Sequence, residues 1–135
     1  MITENDPIII NRQFLVVNST YKLDVESLYT DEYAIRINYQ VTPPVPYLDS
    51  DPEGSLLFTW WGYAIDNNGA EYNSQGGACG LSRDGKSTNG VLSFTPLFLK
   101  DILFLDVAML PERINEKDKC MFRVTLKSIP KTNLT

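Results

Sequence analysis

The sequence contains no histidine. That absence removes Ser-His-Asp and Cys-His triads and every histidine-ligated metal site. Cysteine is nearly missing as well: Cys79 and Cys120 are the only two, too few for a disulfide framework or a structural zinc site. No apolar run reaches the roughly eighteen residues that a membrane-spanning helix needs, so no membrane insertion is expected. No segment concentrates Lys and Arg, and the formal net charge is −5 with a pI near 4.6. Nucleic-acid binding needs a basic footprint, so neither DNA nor RNA is an expected partner. The opening carries Glu4 and Asp6 where a signal peptide has Lys or Arg, and Asn11-Arg12-Gln13 ends the apolar stretch behind it. The expectation is a cytoplasmic chain, or a trimmed piece of an exported one. The sequons at Asn18 and Asn133 then read as chance. A helical period is missing throughout; only Pro111 to Lys117 offers room for one helical turn.

What is present is a period of two, in a chain of 135 residues that is 43% apolar and 21% charged. Those proportions are globular, and the length suits one domain over residues 1–135. Tyr33, Ile35, Ile37, Tyr39 and Val41 alternate with Ala34, Arg36, Asn38 and Gln40, the signature of a strand with one buried and one wet face. Tyr21, Leu23 and Val25 behave likewise, as do Cys120, Phe122, Val124 and Leu126. Ile8 to Val17, Leu56 to Ile65 and Ile102 to Leu110 are more uniformly apolar, which predicts central or doubly covered strands. Val91 to Thr95 is a further short strand. Asp66-Asn67-Asn68-Gly69 predicts a hairpin turn, since Asn and Gly tolerate positive φ. Pro43, Pro44 and Pro46 stop the strand before them. Gly76-Gly77 and Asn89-Gly90 are expected to bracket a long polar loop. The fold class expected is all-β: a single antiparallel β-sandwich of immunoglobulin-like type, with seven to eight strands.

If every strand reverses direction, the connections alternate between the two ends of such a fold. One end then receives residues 18–20, 42–54, 74–90 and 111–119, and with them all the long loops. Long loops are enriched in function. A binding surface is therefore expected at that end, with Tyr47, Asp49, Asp51, Glu53, Arg83 and Lys86 as its candidate contacts.

Four motifs resemble chemistry. Gly80-Leu81-Ser82-Arg83-Asp84-Gly85-Lys86-Ser87 satisfies the phosphate-loop pattern. Such a loop needs a buried strand before it and a helix after it, whose amides hold the anion. Asn73 to Gly77 does not read as a buried strand, Asn89-Gly90 breaks any helix, and Val91 to Phe94 reads as a strand. Asp106 ends an apolar stretch as a magnesium-binding aspartate would, but too few residues separate it from the first motif for a helix and a turn. Asp49, Asp51 and Glu53 follow the opening of a calcium loop, although Trp60 occupies its twelfth position, where glutamate is required. They are weak calcium candidates and more simply a solvated turn.

Trp60 and Trp61 are adjacent, so they point to opposite faces of a strand. Trp61 with Tyr63 makes a candidate aromatic platform for a sugar; the simpler expectation is that both tryptophans pack. Cys79 lies in a glycine-rich segment where Arg83 and Lys86 would lower its pKa. Cys120 sits in an apolar strand and reads as an inert core residue, and a bond between the two cysteines is expected only in an exported protein. Together these features predict a non-catalytic interaction module that presents loops to a protein partner and needs no cofactor. The alternative is a carbohydrate-binding domain that uses Trp61 and Tyr63, with calcium assistance from Asp49, Asp51 and Glu53.

Overall fold

A computed structural model describes residues 7–47, 56–97, 102–112 and 119–126. Eight segments pair as strands: β1 (Ile8–Val16), β2 (Tyr21–Thr30), β3 (Ile35–Thr42), β4 (Trp60–Asp66), β5 (Glu71–Leu81), β6 (Thr88–Phe94), β7 (Phe104–Pro111) and β8 (Cys120–Thr125). No helix occurs among the described residues. All neighbours are antiparallel, and the order is β1-β2-β3-β6-β5-β4-β7-β8. The expected class and strand number agree with this. The sheet count differs, because one sheet takes the place of two. It folds over at β5, whose start pairs with β4 and whose remainder pairs with β6. The outer strands then come back together, with Phe14 of β1 and Phe122 of β8 at 6.0 Å between ring centroids. The sheet is thus nearly a closed barrel, an arrangement that leaves few unpaired edges.

Side-chain alternation drives this closure. On β3 every second residue is buried, and Ile35, Ile37, Tyr39 and Val41 face inward. Leu23, Val25 and Leu28 of β2, Leu92 and Phe94 of β6, Leu105, Val107 and Met109 of β7, and Phe122 and Val124 of β8 join them in one core. Trp60 enters the core from β4, with its ring centroid 6.3 Å from that of Tyr39 and 5.9 Å from that of Phe58. Burial on this scale is the main stabilising term for an all-β domain.

Several local expectations are corrected. Ile8 to Val17 does not form a central strand: β1 has a single partner, β2, and Ile9 and Leu15 are exposed. Its run is interrupted by a bulge between Ile9 and Arg12, where Asn11 adopts a positive φ of 51°. Tyr33 is exposed in the β2–β3 turn. There Asp31 accepts bonds from the amides of Tyr33 and Ala34 at 2.7 and 3.0 Å, so turn chemistry overrides the alternation. The long loop expected over residues 74–90 is mostly strand. β5 runs to Leu81 and β6 begins at Thr88, with Gly76-Gly77 and Asn89-Gly90 inside the ladder. Gly90 is required where it stands, because a Cβ there would meet the ring of buried Tyr39 across the strand. Gly90→Ala should therefore lose about 1–3 kcal/mol by overpacking, measurable in urea unfolding, whereas the same change at open Gly80 should be near neutral.

The alternation of ends holds. Directions reverse at every step, so β1–β2, β3–β4, β5–β6 and β7–β8 connect at one end, here the first end, and the others connect opposite. The strands β4, β5 and β6 with β7 lying beside β4 form a Greek key. The β3–β4 connection must pass β6 and β5, about 14 Å at the usual strand spacing. Its length thus has a topological reason.

Candidate functional site

The strand order decides which candidates meet. On β4, Trp60, Gly62 and Ala64 face inward, while Trp61, Tyr63 and Ile65 face out. The register places Trp61 opposite Leu110, and Tyr63 in one row with Ala108 of β7 and Met121 of β8. The outer face of β4, β7 and β8 therefore carries Trp61, Tyr63, Ile65 and Met121 side by side. Trp61 is 40% exposed and Met121 54%, so the expectation that both tryptophans pack holds for Trp60 alone. The Lys119 ammonium sits 5.2 Å from the Tyr63 ring centroid. One row along, Arg123 grips Asp106 with two bonds of 2.7 and 3.0 Å and stacks on Phe104 at 3.8 Å. This pairing holds the Asp106 carboxyl below its ordinary pKa, the Arg123 hydrogen bonds outweighing the effect of burial. Asp106 is thus an ion-pair partner on the outer face. The patch is apolar at its centre and charged at its rim.

Trp61 lies at the start of β4 and Lys119 immediately before β8, so the patch adjoins the first end. Tyr47, Arg83 and Lys86 are exposed at that same end. The β3–β4 connection is tied down there: the Val45 amide donates to Thr88 Oγ1 at 2.9 Å, and Tyr47 bridges to Leu56. Its far side is fastened to the end of β7, where the Glu112 amide donates to the Thr59 carbonyl at 2.7 Å. Asp49, Asp51 and Glu53 lie outside the described residues, as does most of Pro111 to Lys117. Among the described residues no cluster of acids or thiols has metal-binding geometry.

The segment that matches the phosphate loop is a β-hairpin, with a strand where a helix is needed. Its sequence is explained by the turn. Asp84 accepts from Ser82 Oγ at 2.6 Å and from the Lys86 amide at 3.0 Å, and Gly85 supplies a φ of +72°. These bonds, the Ser82 one foremost, keep the Asp84 pKa low. Arg83 and Lys86 project from this turn as exposed cations.

Cys79 is exposed and Cys120 buried, and no disulfide joins them. The expected lowering of the Cys79 pKa is overturned: partial burial of the thiol raises it, and a bond from the Tyr39 hydroxyl offsets this only in part. Arg83 and Lys86 are not among the groups that shift it. Tyr39 in turn is raised well above its ordinary value, by burial first and by Cys79 second. The pair is a poor nucleophile at neutral pH.

Reading the sequence missed two features. Met121 alternates with the apolar residues of β8 and so falls on its outer face, but nothing local places it in one row with Tyr63, because the β7–β8 pairing that does so is non-local. Asp66 is buried within its turn and accepts from the Asn68 and Ala70 amides at 2.8 and 3.0 Å and from the Tyr72 hydroxyl at 2.7 Å. The Asp-Asn-Asn-Gly turn signal located this residue but not its buried tyrosine partner. No protein-family model, curated protein or solved structure matches the chain.

Proposed function

We propose that this chain is a non-catalytic interaction module for a protein partner, with the two halves of the folded sheet acting as sandwich-like layers. The observation that carries the reading is the outer face of β4 and β8, where Trp61, Ile65 and Met121 are exposed and Tyr63 lies half-buried among them. Aromatic and methionine side chains dominate the cores of protein interfaces, and such a patch is unfavourable to leave in water. The first end, with Tyr47, Arg83 and Lys86, would supply the polar rim. This moves the centre of the surface from the loops, where the sequence placed it, to the sheet beside them.

A photo-crosslinker at position 61 or 121 should capture a partner that a crosslinker at position 38, on the far half of the sheet, does not. Equal capture from all three positions would sink the reading. With the partner in hand, Trp61→Ala should weaken binding by about 2 kcal/mol or more, as an interface anchor does. The variant should still fold, because Trp60 fills the core. Carbohydrate binding remains as a second reading because Trp61 and Tyr63 share this outer face with Asn73 and Glu71 beside them. Tryptophan fluorescence unchanged across a glycan panel, with and without calcium, would remove it.

A further inference from the structure

Among the described residues one edge of β5 has no partner strand, and it is a surface distinct from the aromatic patch. β4 pairs with β5 only at Glu71, Tyr72 and Asn73. Beyond Ser74, whose hydroxyl accepts from the Gly62 amide at 3.1 Å, the two strands part. From Gln75 to Leu81, β5 pairs with β6 on one side and with no described strand on the other, and each of these residues is exposed. Natural sheets guard such edges with charge, proline or bulges. β1 follows that rule with its bulge and Arg12. Gln75-Gly-Gly-Ala-Cys-Gly-Leu81 contains neither a charged residue nor a proline, and its bulge lies at the margin, between Ser74 and Gly76. A row of backbone donors and acceptors with this spacing fits one kind of occupant, another extended chain.

The charges around the edge indicate which chain. β5 begins at exposed Glu71 and runs into a turn that presents Arg83 and Lys86. Among the described residues none of these three has an ion-pair partner. Asp84, the acid of the turn, is already held by Ser82 and the Lys86 amide. If the occupant is β5 of a second copy, running antiparallel about a two-fold axis near Ala78, the cationic turn of each copy lies towards the Glu71 end of the other. The edge is therefore self-complementary in backbone, in its lack of side-chain charge, and in the charges that flank it.

We infer that the chain forms a symmetric dimer by continuing the sheet through residues 75–81 of β5. This does not rest on the partner-binding reading, whose centre is the outer face of β4 and β8; the two surfaces share only Arg83 and Lys86 at their margins.

Sedimentation of the intact chain should show a concentration-dependent dimer that weakens as salt is raised. Ala78→Lys places like charges across the axis on an exposed position and should weaken the dimer at least about tenfold, with circular dichroism unchanged. Glu71→Lys alone and Arg83→Glu/Lys86→Glu alone should each weaken self-association. Mixed together they should recover a heterodimer, an outcome that a general loss of folding cannot mimic and one that does not depend on Ala78→Lys folding. A wild-type chain that stays monomeric at every concentration overturns the inference. So does a dimer indifferent to all of these changes.

Discussion

Asp66→Ala is expected to destabilise the protein by about 3 kcal/mol, since it removes several hydrogen bonds to one buried carboxylate, that of the Tyr72 hydroxyl among them. At this chain size that lowers the thermal midpoint by about 10 °C. The change deletes the acceptor for the Asn68 and Ala70 amides, which shape the β4–β5 turn. It also leaves the hydroxyl of fully buried Tyr72 without the bond it donates to Asp66. Tyr72→Phe should cost less in the Asp66→Ala background than in the wild type, because the bond from its hydroxyl to Asp66 is already gone. If the two single losses simply add, the Asp66–Tyr72 bond is not the coupling described here.

The same residue predicts a pH dependence. Burial opposes the charge on Asp66, but the Tyr72 hydroxyl and the amides of Ala70, Asn68 and Gly69 outweigh it and hold the pKa below the ordinary carboxylate value. A carboxylate whose folded pKa is depressed contributes its full stability above its unfolded pKa, about 3.9. That contribution falls away as pH drops through the lower, folded value. Urea midpoints for the wild type and Asp66→Asn should therefore lie apart at neutral pH and converge as pH falls below about 4. A gap that stays constant into acid would mean that the charge contributes nothing.

Phe58→Ala is expected to cost about 3–5 kcal/mol, the range for truncating a buried aromatic. Phe58 lies in the β3–β4 connection, yet it is 1% exposed and packs edge-on against Tyr21 and Trp60 at 5.1 and 5.9 Å. The described stretch before β4 drops this ring into the core as a plug. Tyr47→Ala, in the same connection but exposed, should change stability by about 0.5 kcal/mol or less, as surface substitutions do. Chemical denaturation of both variants checks this. Similar losses would mean that Phe58 is not the anchor of the crossing, and the loop would regain its standing as a free binding element.

The strands were legible wherever one side of a strand meets the core and the other meets water. On β3 and β8 that contrast is written residue by residue, as Ile35 against Arg36 and Phe122 against Arg123. It failed on β5. From Gln75 to Leu81 both faces are exposed, so no alternation exists to be read, and Gly76, Gly77 and Gly80 imitate a loop. That half of β5 is held by backbone bonds to β6, which leave no trace in side-chain pattern. The apolar start of β1 was misread for a related reason. Composition registers how much a segment buries, but not whether a second strand lies beside it.

For the candidate site the division is similar. That Trp60 and Trp61 face opposite ways follows from the chain alone, because successive strand residues alternate. Which of them is uncovered, and that Trp61 shares its face with Met121, depends on β7 lying between β4 and β8. The sequence by itself determined the all-β class and the hairpin at Asp66 to Gly69, since these rest on local periodicity and turn chemistry. Only the tertiary structure decided the single folded sheet, the edge of β5 that no described strand covers, and the outward aromatic row. These depend on strand order, a matter of pairings between residues distant in sequence that no local pattern encodes.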